Sequence, residues 1–242
     1  VTSRSRGLTD GAIKVVGLAL VLLAAVGSAV VSRGMPADLA QADFGQLTKV
    51  VLCEIVSWIG FPLYAALLYS GFRHTRAVGR YALRLAVLAI VSEVPYDLAT
   101  SGRVWNFSSQ NPVFALLVAL GVLFMLDRLR ESGSATRVVV QILVCVAGAA
   151  WMLIFNVYLR MGLMPGGLVI YLFVLVFYFL DGRENLTAMV GAVLGAVALV
   201  APAFGMVVLH FRNGLPGIAA PGKHIFYVLY PLCLLLVWLL SR

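Results

Sequence analysis

The stretch FPLYAALLYSGFRHT (residues 61–75) passes through a short basic loop into RYALRLAVLAIVSEVPYDLA (80–99) and then NFSSQN (106–111). Two mostly apolar runs joined by a cationic turn predict a pair of helices crossing a bilayer. About 20 apolar residues at ~1.5 Å each match a hydrocarbon core about 30 Å thick. Pro95, inside the second run, removes a backbone donor and predicts a kink or an end to that helix.

The rest of the 242-residue chain repeats the pattern. Apolar residues make up 62% and charged residues 12%, where soluble domains carry about 25% charged. Apolar runs occupy 13–31, 50–71, 81–98, 112–126, 138–159, 161–180, 186–209 and 225–240. The predicted fold class is therefore all-α: a polytopic integral membrane helical bundle with about eight transmembrane helices. No stretch outside these runs is long enough to build its own core, so residues 1–242 are expected to form a single transmembrane domain. Arg4 and Arg6 ahead of an apolar run resemble a signal peptide, but that run is long enough to span and reads as a retained first helix. Between the fifth and sixth runs stands only Arg160, which demands a tight hairpin or a tilted helix. Gly191 and Gly195 form a G-x-x-x-G spacing that predicts close helix packing.

The formal net charge is +8, yet no basic soluble face exists to engage nucleic acid, and the partner is the lipid bilayer. With the N-terminus placed in the cytoplasm, twelve cations flank the inner side and six the outer, Arg160 and Arg212 among the six. The positive-inside rule then predicts both termini cytoplasmic. Cys53, Cys145 and Cys233 fall inside apolar runs and read as buried hydrophobes. His210 and His224 flank a Gly/Pro-rich loop without metal-ligand spacing, so no metal is expected.

Charge inside a bilayer is costly and points to function. Glu54, Glu93 and Asp97 cluster toward the outer side, where one could act as general base for an acceptor hydroxyl or amine. The alternative is a structural network pairing them with Arg103 or Lys49. Arg73, His74 and Arg76, continued by Arg84, form a candidate phosphate site, because guanidinium binds phosphate in bidentate fashion; the plain alternative is a topology signal. Asn106, Gln110 and Asn111 are candidate substrate-binding amides, or simply a polar loop that opens the helix at Pro112.

Taken together, FPLYAALLYSGFRHT, SEVPYDLA, NFSSQN and FYVLYPL (226–232) are similar to the TraX family of bacterial membrane acyltransferases, whose best-known member acetylates the N-terminus of a pilin subunit. The resemblance covers most of the chain in order and is sharpest over 61–111. It implies a multi-pass protein of the inner (plasma) membrane that takes acetyl-coenzyme A from the cytoplasm as acyl donor. The acceptor would be a protein N-terminus, a sugar or a lipid of the envelope. It also favours the phosphate reading of Arg73, His74, Arg76 and Arg84.

The chain departs from the family pattern at three places. Ala24-Ala25 stand where the pattern has Asp-His, Ser109 where it has His, and Cys233 where it has the His of Tyr-Pro-Leu-His. Ala and Ser cannot replace a His base, which contributes about 10²–10⁴-fold in rate. Three readings stay open: an acyltransferase using Glu93, Asp97 or Glu54 in place of histidine; a non-catalytic structural or partner protein on the same scaffold; and a small transporter using the intramembrane carboxylates.

Overall fold

Pro62 splits the longest helical stretch of the chain. A proline ring displaces the carbonyl four residues earlier and offers no N–H to it, here that of Trp58. The backbone answers with tighter i→i−3 bonds from Trp58, Ile59 and Phe61, at 3.1–3.2 Å. The computed structural model describes residues 7–34, 43–130, 136–215, 217 and 225–242. Arg4, Arg6, Lys223 and His224 lie outside these residues.

Among the described residues are ten helices: α1 (Asp10–Gly34), α2 (Phe44–Ser57), α3 (Gly60–His74), α4 (Val78–Ser101), α5 (Pro112–Arg130), α6 (Thr136–Ile154), α7 (Gly166–Phe179), α8 (Glu184–Val197), α9 (Ala201–His210) and α10 (Ile225–Leu240). A two-stranded hairpin, β1 (Leu159–Arg160) and β2 (Met164–Pro165), separates α6 from α7. The protein is all-α, a helical membrane bundle. Four helical stretches, Asp10–Ala29, Phe44–His74, Pro112–Arg130 and Arg137–Ile154, are long and apolar enough to cross a membrane; α7 to α10 are shorter apolar helices. α4 has the length, 24 residues, and carries Arg80, Arg84, Glu93 and Asp97.

Local chemistry sets several boundaries. The Asp43 side chain caps α2 by accepting from the Gln46 N–H at 3.0 Å, satisfying one orphan donor. α4 runs through Pro95 without ending there, and stops at Gly102, whose φ of 70° is left-handed; only glycine enters that region freely. α3 packs against α1, α5, α7 and α9, and α4 packs against α1, α5 and α10. Phe61, Leu120, Leu123 and Phe173 are fully buried between them. α6 leaves Val138, Ile142, Leu143 and Val146 exposed, as expected of a lipid-facing helix.

The seventh apolar run, 186–209, is not one crossing. α8 stops at Val197 and α9 starts at Ala201, with Leu199 and Val200 at φ of 61° and 67° between them. Pro202 sits in the first turn of α9, the position a proline favours. α9 then doubles back along α8. A Cβ at Gly195 would collide with the Ala203 backbone, and one at Gly191 would meet Met206, so the glycine pair packs two helices of one chain. Ten residues of α9 rise only ~15 Å, half a bilayer core.

The return path ends where α1 begins. Arg212 grips Asp10 through Nε–Oδ1 at 2.7 Å and Nη2–Oδ2 at 3.0 Å. Leu8 and Phe211, and Asp10 and Leu215, share backbone bonds of 2.8 Å. Arg212, expected on the outer flank, therefore joins the end of the bundle that carries Lys14 and Arg73. α10 starts at that same basic end, where Phe226 and Tyr227 stand beside Lys14 and Arg84, and it packs along α4. The α8–α9 hairpin does not make the single crossing that the hydropathy of 186–209 predicts. The sequence reading missed this because hydropathy cannot distinguish a run that crosses from one that folds back on itself.

Reporter fusions test the reversal. Fusions after Gly79 and after Gly214 are expected on the same side of the membrane in a paired phosphatase and fluorescent-protein assay. Eight full crossings would place them on opposite sides.

Candidate functional site

Residues 155–165 were expected to be helix ends around a loop cation. They instead form a turn folded into the bundle. Asn156, Tyr158, Met161 and Gly162 take positive φ. The Tyr158 N–H donates to the Gln110 carbonyl at 3.0 Å, and the Gly166 and Gly167 N–H groups donate to the carbonyls of Tyr158 and Val157 at 3.1 and 3.2 Å. Gly167 is needed here, because a Cβ would overlap the Val157 carbonyl. The turn carries Tyr158 and Arg160 inward, to 1% and 4% exposure.

Arg160 is thus a buried cation rather than an outer-flank charge. Its guanidinium pairs with Glu54 of α2: Nε reaches Oε2 at 3.1 Å, and Nη2 is in direct contact with Oε1. Nη2 also donates to Ser28 Oγ at 2.7 Å and to the Ala24 carbonyl at 3.4 Å, and Nη1 donates to the Tyr96 hydroxyl at 3.0 Å. Ser28 in turn donates to Glu54 at 3.2 Å. One guanidinium ties α1, α2, α4 and the hairpin together. Each of the three guanidinium nitrogens finds an acceptor, which offsets the cost of burying the charge.

Glu93 and Asp97 flank Tyr96 on α4, one turn apart, and both face the loop 106–111. Glu93 Oε2 accepts from Asn111 Nδ2 at 2.6 Å and from the Asn111 N–H at 3.2 Å. Asp97 Oδ2 accepts from the Asn106 N–H at 2.8 Å. The Asn111 amide also donates to the Ala89 carbonyl at 2.9 Å and accepts from the Val113 N–H at 2.9 Å. Asn106 and Asn111 therefore position the carboxylates and open α5, and Gln110 contributes backbone bonds to the hairpin. Glu54, Arg160 and Tyr96 form one polar layer, with Ser109 3.3 Å from the Tyr96 hydroxyl, and Glu93 and Asp97 stand beside Tyr96 on α4. The partners of the three carboxylates are Arg160 and the amides, not Arg103 or Lys49.

Two cavities open at the basic end. The first, about 440 Å³, runs between α1, α3, α4, α5 and α10. Lys14, Thr75 and Arg84 stand at its mouth, Leu18, Leu68, Leu85 and Leu88 form its walls, and Tyr64, Pro112 and Tyr230 lie deeper. The second, about 730 Å³, is polar and lies between the ends of α3, α7 and α9. Arg73 and His74 line it, with Asp181, Arg183, Glu184 and His210; Arg73 pairs with Asp181 at 3.4 Å. The four candidate phosphate ligands are therefore divided: Arg84 serves the first cavity, Arg73 and His74 the second, and Arg76 lines neither. Glu54, Glu93 and Asp97 also line neither cavity.

A sequence model described as TraX protein matches residues 11–241. The chain belongs to the TraX family. No curated protein and no solved structure matches it. Two of the positions singled out in the sequence of this TraX-family chain for the residues expected there meet the polar layer directly, Ala24 through its carbonyl and Ser109 through its hydroxyl. Ala25 is buried in the core, and Cys233 is half-buried on α10, one turn beyond Tyr230. Ser28, Tyr96, Tyr158, Arg160 and Tyr230 were not found by sequence reasoning. The available signal was a lone Arg160 inside an apolar stretch of more than thirty residues, followed by Gly162, Pro165, Gly166 and Gly167, which are turn formers.

Removing one partner of a buried pair strands the other charge, which costs about 3–5 kcal/mol. Glu54→Ala is expected to lower the thermal unfolding midpoint of the protein in detergent sharply. Glu54→Leu combined with Arg160→Met should recover much of the loss, since neither charge then remains. Equal midpoints for wild type and Glu54→Ala would show that the pair holds nothing together.

Proposed function

We propose that this TraX-family protein is an acyltransferase of the inner (plasma) membrane. It moves an acetyl group from acetyl-coenzyme A to an acceptor of the envelope, a protein N-terminus, a sugar or a lipid. The observation that carries this reading is the first cavity. It is cationic at its mouth and apolar along its walls, and it reaches Tyr230, which lies within electrostatic reach of Tyr96, Glu93 and Arg160. A phosphate-bearing donor with a narrow, uncharged arm matches that gradient. Lys14 and Arg84 would take phosphate oxygens through charge-assisted bonds, and the arm would carry its thioester inward to Tyr230. Arg73, His74 and Arg76 stand on the other flank of the α3 terminus and would bear on the nucleotide half of the donor.

The basic end faces the cytoplasm in this reading. The reversal of α8–α9 brings Arg212 to the side already richer in arginine while α10 carries Arg242 away from it, so the cation bias keeps its sign. Donor would enter from the cytoplasm and acceptor from the opposite end, where the 106–111 loop and Glu93 lie. In the transfer, the carbon–sulfur bond breaks as the bond to the acceptor nitrogen or oxygen forms. The acceptor's proton passes to a carboxylate and then to the departing thiolate. Glu93 suits the base role: Asn111 occupies Oε2 twice, which leaves Oε1 for the proton. Glu54, engaged with Arg160, is a positioning group.

A second reading, a non-catalytic membrane partner protein, is favoured by one observation: all three carboxylates are held by structural partners and none lines either of the two cavities described.

Binding separates the two. Purified wild type is expected to bind acetyl-coenzyme A in calorimetry, and Arg84→Ala to weaken it by roughly one charge-assisted bond, ~1.5–3 kcal/mol. Absence of binding by wild type supports the non-catalytic reading.

Glu93→Gln keeps the shape and the Asn111 contacts but cannot accept a proton. It is expected to bind donor normally and lose about 10²–10⁴-fold in transfer, measured as thiol release in envelope preparations. Transfer at the wild-type rate would remove Glu93 from the mechanism.

A further inference from the structure

Tyr230 sits on the wall of the first cavity, and its hydroxyl is buried without a hydrogen-bond partner. Buried hydroxyls are nearly always satisfied, so an orphan of this kind calls for a missing partner. Four buried side-chain polar atoms lack a partner among the described residues, on Trp58, Asp97, Tyr178 and Tyr230. Only that of Tyr230 belongs to a residue lining this cavity. Two neighbouring tyrosine hydroxyls are engaged. Tyr64, on the same wall, donates to the Gly17 carbonyl at 2.7 Å, and Tyr96 takes Arg160 at 3.0 Å with Ser109 at 3.3 Å.

Position strengthens the point. Phe226 and Tyr227 line the cavity near Arg84, and Tyr230 stands one turn further along α10, level with Pro112 at the deep start of α5. There it lies within electrostatic reach of Tyr96, Tyr158, Glu93 and Arg160. Tyr230 therefore stands between an apolar channel and the polar layer, with its hydroxyl buried. A phenol is neutral at physiological pH, so it can only donate or accept a hydrogen bond, and a donor fits an arriving carbonyl oxygen.

We propose that the Tyr230 hydroxyl donates a hydrogen bond to the carbonyl oxygen of an acyl thioester held in this cavity and stabilises the oxyanion that forms there. This rests on the donor reading given above and assigns the group that contacts the reacting atoms. The acceptor's nitrogen or oxygen attacks the thioester carbon, and the π pair of the carbonyl moves onto its oxygen, facing Tyr230. When that pair returns, the carbon–sulfur bond breaks, sulfur leaves with the bonding electrons, and it receives the proton the acceptor gave up. Tyr230 itself is unchanged at the end.

The test uses full-length protein in detergent with acetyl-coenzyme A labelled with ¹³C at the thioester carbonyl. In wild type, isotope-edited infrared difference spectra should place the bound carbonyl band below its frequency in an apolar solvent, as a hydrogen bond requires. In Tyr230→Phe the band should return toward the apolar-solvent value while unacylated coenzyme A binds as before. Thiol release should fall by about 10²–10³-fold, the usual effect of removing one oxyanion donor. A wild-type band at the apolar-solvent frequency overturns the proposal without any variant. So does an unshifted band in Tyr230→Phe, and in both cases the donor reading stands. Failure of wild type to bind the labelled thioester removes the donor reading, and this inference with it.

Discussion

The buried pair between Arg160 and Glu54 is the constraint on which the arrangement of the bundle depends. Helices in a bilayer gain little from apolar contact with one another, since lipid chains are equally apolar, and specific packing and polar contacts must hold them in register. Arg160 supplies that register. It reaches Glu54 on α2, Ser28 and the Ala24 carbonyl on α1, and Tyr96 on α4, so sliding any of these helices would strand a charge or a donor. The hairpin that presents Arg160 accepts strained backbone angles at Asn156, Tyr158 and Met161, and is held by backbone bonds to Gln110, Gly166 and Gly167.

The same logic governs the two interruptions in the helices. Irregular backbone at membrane depth is tolerated only where protein covers it. The break at Trp58–Ile59 is covered by α9, whose Gly205 approaches the Ile59 carbonyl and the Pro62 ring so closely that a Cβ would collide with both. The turn at 198–200 is held by the close approach of α8 and α9 at Gly195. A short returning helix thus shields a broken one, and the two defects form one packing unit.

This arrangement divides the molecule into two chemically distinct halves. At the basic end, cations surround two cavities of different character, one apolar and one polar. Toward the opposite end, carboxylates are held by amides and by a guanidinium. The apolar cavity ends near the layer where these halves meet, with Tyr230 on its wall within electrostatic reach of that layer.

The sequence by itself determined the class of the protein, the eight apolar runs, the family and the basic end, because hydropathy, cation bias and short motifs are local properties. It also found Glu54, Glu93, Asp97 and Asn111 as polar residues in unusual places, and the glycine pair as a packing device. Only the tertiary structure decided what those residues meet. Glu54 and Arg160 are more than a hundred positions apart, and nothing local marks them as partners. The run 186–209 has the hydropathy of a span, and only its close approach at Gly195 and the bond from Arg212 to Asp10 show that it returns. The four candidate phosphate ligands look continuous along the chain but belong to different elements, Arg73 and His74 to the end of α3, Arg76 to the turn after it and Arg84 to α4, so they do not share one cavity. Tyr230 reads as an ordinary apolar-face tyrosine until the cavity beside it and its unpartnered hydroxyl are seen together.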